Sequence, residues 1–130
     1  VKRLADAIHA KGGWDVMHSD GYLWPILDDL VSAGIDGWQG IQPRIGMDMK
    51  ELKERFGDRL CLFGGVDIDT LVRGTTEDVA AQVDYAIANA ARDGGLVLGS
   101  GNTIMPGVRP ENYQAMLDAT RRGGAYPAHD

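Results

Sequence analysis

Along the chain the apolar positions alternate between two spacings. Leu23, Ile26, Leu27, Leu30 and Val31 recur at the three- and four-residue steps of one helical face, with Pro25 in the first turn. Val79, Val83, Ile87 and Ala90 or Ala91 repeat that step through Arg92, behind Thr75 or Thr76 as cap. Leu52 and Phe56 mark a shorter helix, opened by a capping box of Asp48 and Glu51 and stopped by Gly57. Leu4 and Ile8 share a face of a first helix that Gly12-Gly13 ends, and Met116 and Leu117 lie on a last one opening at Pro110. Between these stand short apolar runs without helical period, at 14–18, 35–41, 59–63 and 96–98, which predict strands. The run Leu60–Phe63 lacks polar alternation, as strands buried on both faces do.

Strictly alternating helices and strands imply a parallel α/β sheet. Four strand–helix units amount to half of an eight-stranded (β/α)8 TIM barrel, over residues 1–122, with a frayed tail at 123–130. A small doubly wound sheet is the competing architecture. Its nucleotide-binding form is disfavoured, because no strand runs into a helix through GxGxxG. A half barrel leaves two strand edges unpaired and its inner face bare. It therefore requires its missing N-terminal half or a second copy of itself.

Composition narrows the partners. Thirteen basic against 19 acidic residues give a formal charge of −6, which repels phosphate backbones and anionic lipid. Neither nucleic acid nor membrane is expected to bind. The first residues, Val1–Asp6, lack the apolar core of a signal peptide, and the absence of an initiator Met suggests a chain cut from a longer one. Cys61 is the single cysteine, so a cytoplasmic setting is expected, with Cys61 itself a buried packing residue. Glycine is abundant, 18 of 130 residues, and falls where strands meet helices. Gly37 and Gly40 lie within a predicted strand, which suggests close approach by backbone or ligand.

In a parallel barrel the chemistry gathers at the carboxyl ends of the strands. His18-Ser19-Asp20-Gly21 is the strongest local signal there. An imidazole can ligate a metal or carry a proton near neutral pH, and Asp20 can serve as a hard ligand or a base. Alternatively, Asp20 caps the helix near Leu23 and His18 fills a polar gap. Gln39 and Gln42 follow the second strand as candidate substrate-binding groups. Asp67 and Asp69 follow the third, Asp67 as a catalytic carboxylate and Asp69 as a cap. After the fourth, Gly99-Ser100-Gly101-Asn102-Thr103 either presents amides to an anion, through Ser100 and Gly101, or forms a tight turn. His9 and His129 read as bystanders, and Trp14, Trp24 and Trp38 as core or cavity wall.

In this order, His18–Gly21, Gln42-Pro43 to Met47-Asp48, Glu51–Leu60, Gly64–Asp67, Thr70–Thr75, Gly94–Leu98, Ile104–Pro106 and Pro110–Asn112 resemble the uroporphyrinogen decarboxylase and corrinoid methyltransferase superfamily. The resemblance implies the C-terminal half of a (β/α)8 barrel. It also implies one of two chemistries: decarboxylation of uroporphyrinogen without a cofactor, or methyl transfer from a corrinoid, carried by a partner protein, to a thiol or a tetrahydrofolate-like acceptor. The thiol methyltransferases hold zinc with a His-x-Cys pair and a later Cys. Here His18 keeps the zinc-ligating His, Asp20 stands for the first Cys, and Asn102 stands for the later Cys or for the decarboxylases' late-loop His. His18 and Asp20 would then form a harder, divergent site for zinc or another divalent metal. The resemblance leans to corrinoid-linked methyl transfer to a small-molecule acceptor, with His18, Asp20, Asp67 and Asn102 as the catalytic group. Tetrapyrrole decarboxylation is the enzyme alternative, and an inactive fragment or half-barrel interaction module the non-enzyme one.

Overall fold

The computed structural model describes residues 1–125. Four strands, β1 (Val16–His18), β2 (Gly37–Ile41), β3 (Cys61–Val66) and β4 (Leu96–Ser100), form one parallel sheet in the order β1-β2-β3-β4. The helices are α1 (Lys2–His9), α2 (Trp24–Ser32), α3 (Met49–Phe56), α4 (Ile68–Arg73), α5 (Thr76–Ala90) and α6 (Pro110–Gly123), with a 3-10 turn at Pro43–Ile45. This is the alternating α/β order of a partial barrel. The tail from 126 onward, with His129, lies outside the described residues.

Side chains of a strand alternate between faces. One set, with Met17, Trp38, Leu62, Leu96 and Leu98, packs against the helices around Leu27, Leu52 and Phe56. A second cluster joins Val66 and Leu71 to Val79, Val83, Met116 and Ala119 on α5 and α6. The opposite set faces outward from this core. Val16 and Val97 are 46% and 47% exposed, and Trp14 is 77% exposed. With Cys61 and Phe63, Trp14 and Val16 line an apolar groove of about 350 Å³. Cys61 is therefore half-buried on the bare face rather than sealed in the core. Trp38 is fully buried, whereas Trp14 is a groove wall.

Several local expectations are corrected. β3 runs through Gly64-Gly65 instead of stopping there, and β4 takes in Gly99 and Ser100. Strands β1 and β2 begin at Val16 and Gly37, later than the apolar runs. Leu4 and Ile26 are exposed; Ala5 fills the inward position of α1, and Leu27 and Val31 carry that of α2. Helix α4 had no sequence signal, being only six residues long. Asp48 caps α3 through the amide of Glu51 at 3.0 Å, but Glu51 turns to Arg55 instead of closing the box. Thr75 and Asp78 make a full reciprocal box at α5.

Three glycines mark where backbone meets backbone. A Cβ at Gly40 (φ +109°) would stand 2.6 Å from the Ser19 carbonyl oxygen. One at Gly64 or Gly101 would stand 2.8 or 2.5 Å from that of Ile41. Gly40→Ala should therefore cost about 2–4 kcal/mol, from strain at positive φ plus the clash. Gly99→Ala, where a Cβ meets nothing within 4 Å, should shift stability by no more than about 0.5 kcal/mol. Denaturant unfolding of the two variants measures the contrast.

Candidate active site at the strand ends

All four strands are parallel, so their following loops emerge at one edge of the sheet. The β1–α2 loop is fixed first. The Ser19 amide donates to the Gln39 carbonyl at 3.1 Å, and its own carbonyl accepts from Trp38 Nε1 at 2.8 Å. This places His18 opposite Gln39 in the parallel register, both on the bare face. The His18 Nδ1 hydrogen-bonds to Gln39 Oε1. Because that oxygen only accepts, Nδ1 carries the proton and Nε2 faces out. Nε2 lies 3.6 Å from an oxygen of Asp20, with both side chains about half exposed. Asp20 does not cap α2, whose first residue is preceded by Leu23 without any side-chain cap.

The β2–α3 and β3–α4 loops are tied together. Asp67, directly after β3, is buried, and its carboxylate accepts from the Arg44 amide at 3.2 and 3.3 Å and from Gln82 Nε2 at 3.3 Å. The Gln82 carboxamide also accepts from the Asp67 amide and donates to Thr70. Desolvation raises the Asp67 pKa, only partly opposed by the Arg44 and Gln82 hydrogen bonds and the Arg44 charge. Asp69 does not cap; it ion-pairs with Arg44 and, at 3.1 Å, with Arg73.

The β4–α6 loop is bonded to itself and to the end of β3. The Gly101 amide donates to Val66, that of Thr103 to the Asn102 carboxamide oxygen at 2.7 Å, and Ser100 Oγ to the Asn102 carbonyl at 2.6 Å. This is the tight turn, with the Gly101 and Thr103 amides already spent. Gln42 lies against Gly101 at the same edge. The structure thus joins His18, Gln39 and Asp20 in one group and Asp67 with Arg44 and Gln82 in another. Arg44 and Gln82 had no periodic signal in the sequence. His9 is no bystander structurally: it pairs with Asp36 at 2.7 Å, near the amino ends of β1 and β2.

The uroporphyrinogen decarboxylase (URO-D) family profile matches residues 1–123. The chain belongs to this family. Curated relatives include the uroporphyrinogen decarboxylases of Chlorobium phaeovibrioides, 28% identical over 107 residues, and of Chlorobium luteolum, 30% identical over 107 residues. Each alignment takes in 77% of this chain but 28% of the relative, so the chain spans under a third of their length. A methyltransferase from Methanosarcina mazei shares the fold, with a TM-score of 0.78 and 28% identity over 95% of this chain and 34% of that one. No helix among the described residues is long and apolar enough to cross a membrane.

Some of the family's methyltransferases use zinc. His18 Nε2 and the Asp20 oxygen are spaced like two ligands of one ion. Among the described residues no third His, Cys, Asp or Glu joins them. Catalytic zinc takes three protein ligands. These residues alone do not fit a metal centre.

Asp67 offers a test of its positioning contact. Removing its acceptors, Asp67→Ala, should cost about 1–3 kcal/mol, because the Arg44 amide and Gln82 lose their partner. Asp67→Asn keeps an acceptor and removes a buried charge. A raised acid pKa means that the folded state holds the proton more tightly than the unfolded one. The wild-type carboxylate thus penalises folding above its folded pKa, and the penalty disappears as pH falls through that value toward the unfolded one. Asp67→Asn should flatten this part of the stability–pH curve, as measured by urea unfolding between pH 3 and 8.

Proposed function

We propose that this chain supplies the proton-handling part of the active site of a URO-D-family barrel enzyme, with corrinoid-linked methyl transfer as the preferred reaction. The observation that carries the reading is the fixed His18 ring: Nδ1 bound to Gln39 and Nε2 free beside Asp20 at the carboxyl end of β1. The likeness to a methyltransferase over 95% of the chain supports the choice of reaction.

A corrinoid bound by the whole protein would supply an electrophilic methyl group. What the chain must then do is make the acceptor nucleophilic. A thiol reacts as its thiolate. In this reading His18 takes the thiol proton at Nε2, Gln39 keeps the ring from turning, and Asp20 faces the proton that has arrived. Asp67 acts through the Arg44 loop as a positioning residue. Asn102, with its oxygen held by the Thr103 amide, shapes the loop. Gln42 and Ser100 line the same edge for the small-molecule substrate. The bare face of the sheet is covered in the working protein by the remainder of the barrel or by a second copy. A divalent metal at His18 and Asp20 would require a third ligand from that covering part.

The second reading is decarboxylation, favoured by the names of the Chlorobium relatives. It uses the same nitrogen in the opposite sense: a ring carrying a second proton at Nε2, beside Asp20, gives that proton to the carbon whose carboxyl group leaves as carbon dioxide.

The two reactions separate spectroscopically. In a protein carrying this chain with the rest of the barrel, methylcobalamin plus a thiol should show the absorbance change of corrinoid demethylation. Uroporphyrinogen should be left unchanged. His18→Ala should lower the rate about 10²-fold or more, the usual weight of a general base. Porphyrinogen turnover without corrinoid demethylation would select the decarboxylase reading. An unaffected His18→Ala rate would remove His18 from both.

A further inference from the structure

Asp67-Ile68-Asp69 grips a single residue twice. Asp67 takes the main-chain amide of Arg44, and Asp69 takes its guanidinium. The first contact holds the 3-10 turn at the end of β2 against the start of α4 at the end of β3. It would do so whatever side chain stood at 44. The second contact is therefore not needed to place the loop. Nor does it add much stability, because the Arg44 side chain is 64% exposed and exposed ion pairs contribute little. Asp69 is also shared. Arg73 holds its other oxygen at 3.1 Å, so Asp69 keeps a partner if Arg44 lets go. The result is an exposed guanidinium, fixed at its backbone, at the catalytic edge of the sheet and covered by a replaceable carboxylate.

We infer that Arg44 is a recognition residue for a carboxylate group of the substrate, and that Asp69 is its stand-in when no substrate is bound. A carboxylate is favoured because the group that now occupies the guanidinium is one, and the planar fork of Arg matches its two oxygens. On binding, the incoming carboxylate takes the Arg44 fork and Asp69 swings to Arg73 alone. The inference deepens the proposed function by naming a chemical group of the substrate, and it rests on the strand ends being the site.

Succinate is a suitable probe, titrated at low salt into a protein carrying this chain with the rest of the barrel, with affinity read by calorimetry in every variant and the Arg44 Nε–H resonance followed by NMR where Arg44 is present. Asp69→Asn should bind it about two- to five-fold more tightly than wild type, because the internal competitor is gone. Arg44→Gln should weaken binding at least about tenfold, and Arg44→Lys should recover little of it, because an ammonium lacks the fork. The exposed side chain at 44 and the retained amide contact predict that these variants melt with wild type. Equal succinate affinity in wild type and Arg44→Gln would overturn the inference, as would no gain in Asp69→Asn. Inorganic phosphate binding as tightly as succinate through Arg44 would overturn the choice of carboxylate. His18→Ala should leave succinate affinity unchanged. Loss of turnover in that variant with Arg44-dependent binding intact therefore tells the failure of one reading from the failure of the other.

Discussion

Ser19 is the point on which the site depends. Its amide and carbonyl are both taken by β2, through the Gln39 carbonyl and the Trp38 indole, and the approach is possible only because Gly40 has no side chain. Trp38 is fully buried, so its single N–H needs an acceptor and finds it at Ser19. One core residue thus anchors the sheet on its helical side and holds the β1–α2 loop at its end. With Ser19 fixed, His18 before it and Asp20 after it have little freedom. The same device recurs along the edge, where Gly64 and Gly101 both close on the Ile41 carbonyl.

This constraint also explains which parts of the fold were legible in the sequence. The helices were visible, since an apolar face repeated over two or more turns has no other use. Their ends were visible too, at the Gly57 stop of α3 and the Thr75 cap that opens α5. The strand ends were not. Gly64-Gly65 has the composition of a break, yet it continues β3, because Gly64 answers to the Ile41 carbonyl of the neighbouring strand and Gly65 to the Ala86 side chain of α5 rather than to a turn. Local chemistry cannot tell a glycine that bends the chain from one that admits another chain. Helix α4 failed for a different reason: six residues are too few to show a period.

The candidate site divides along the same line. His18, Gln39 and Asp20 could be guessed, because residue type and strand-end position were enough. That Gln39, rather than a carboxylate, orients the imidazole depends on the register of β1 with β2, which no single segment contains. Arg44 and Gln82 were invisible, one in an irregular turn and the other on a helix whose apolar stripe drew attention elsewhere. Both take their meaning from Asp67, which is buried and bonded to each of them.

The two faces of the sheet set the chemistry apart from the stability. The helical face is sealed by large side chains from α2 and α3 and by Ala86 and Ala90 of α5, and the work of folding is done there. The bare face carries His18, Gln39, Phe63 and Val97 in one register row, continuous with an apolar floor of Val16 and Cys61 in the row beneath. Covering that floor would exclude water from the very layer in which His18 lies. A proton moved at Nε2 would then be exchanged with the bound substrate instead of with solvent. The bare surface is therefore also the one that, once covered, would make an exposed imidazole into a directed acid or base in the proposed reaction.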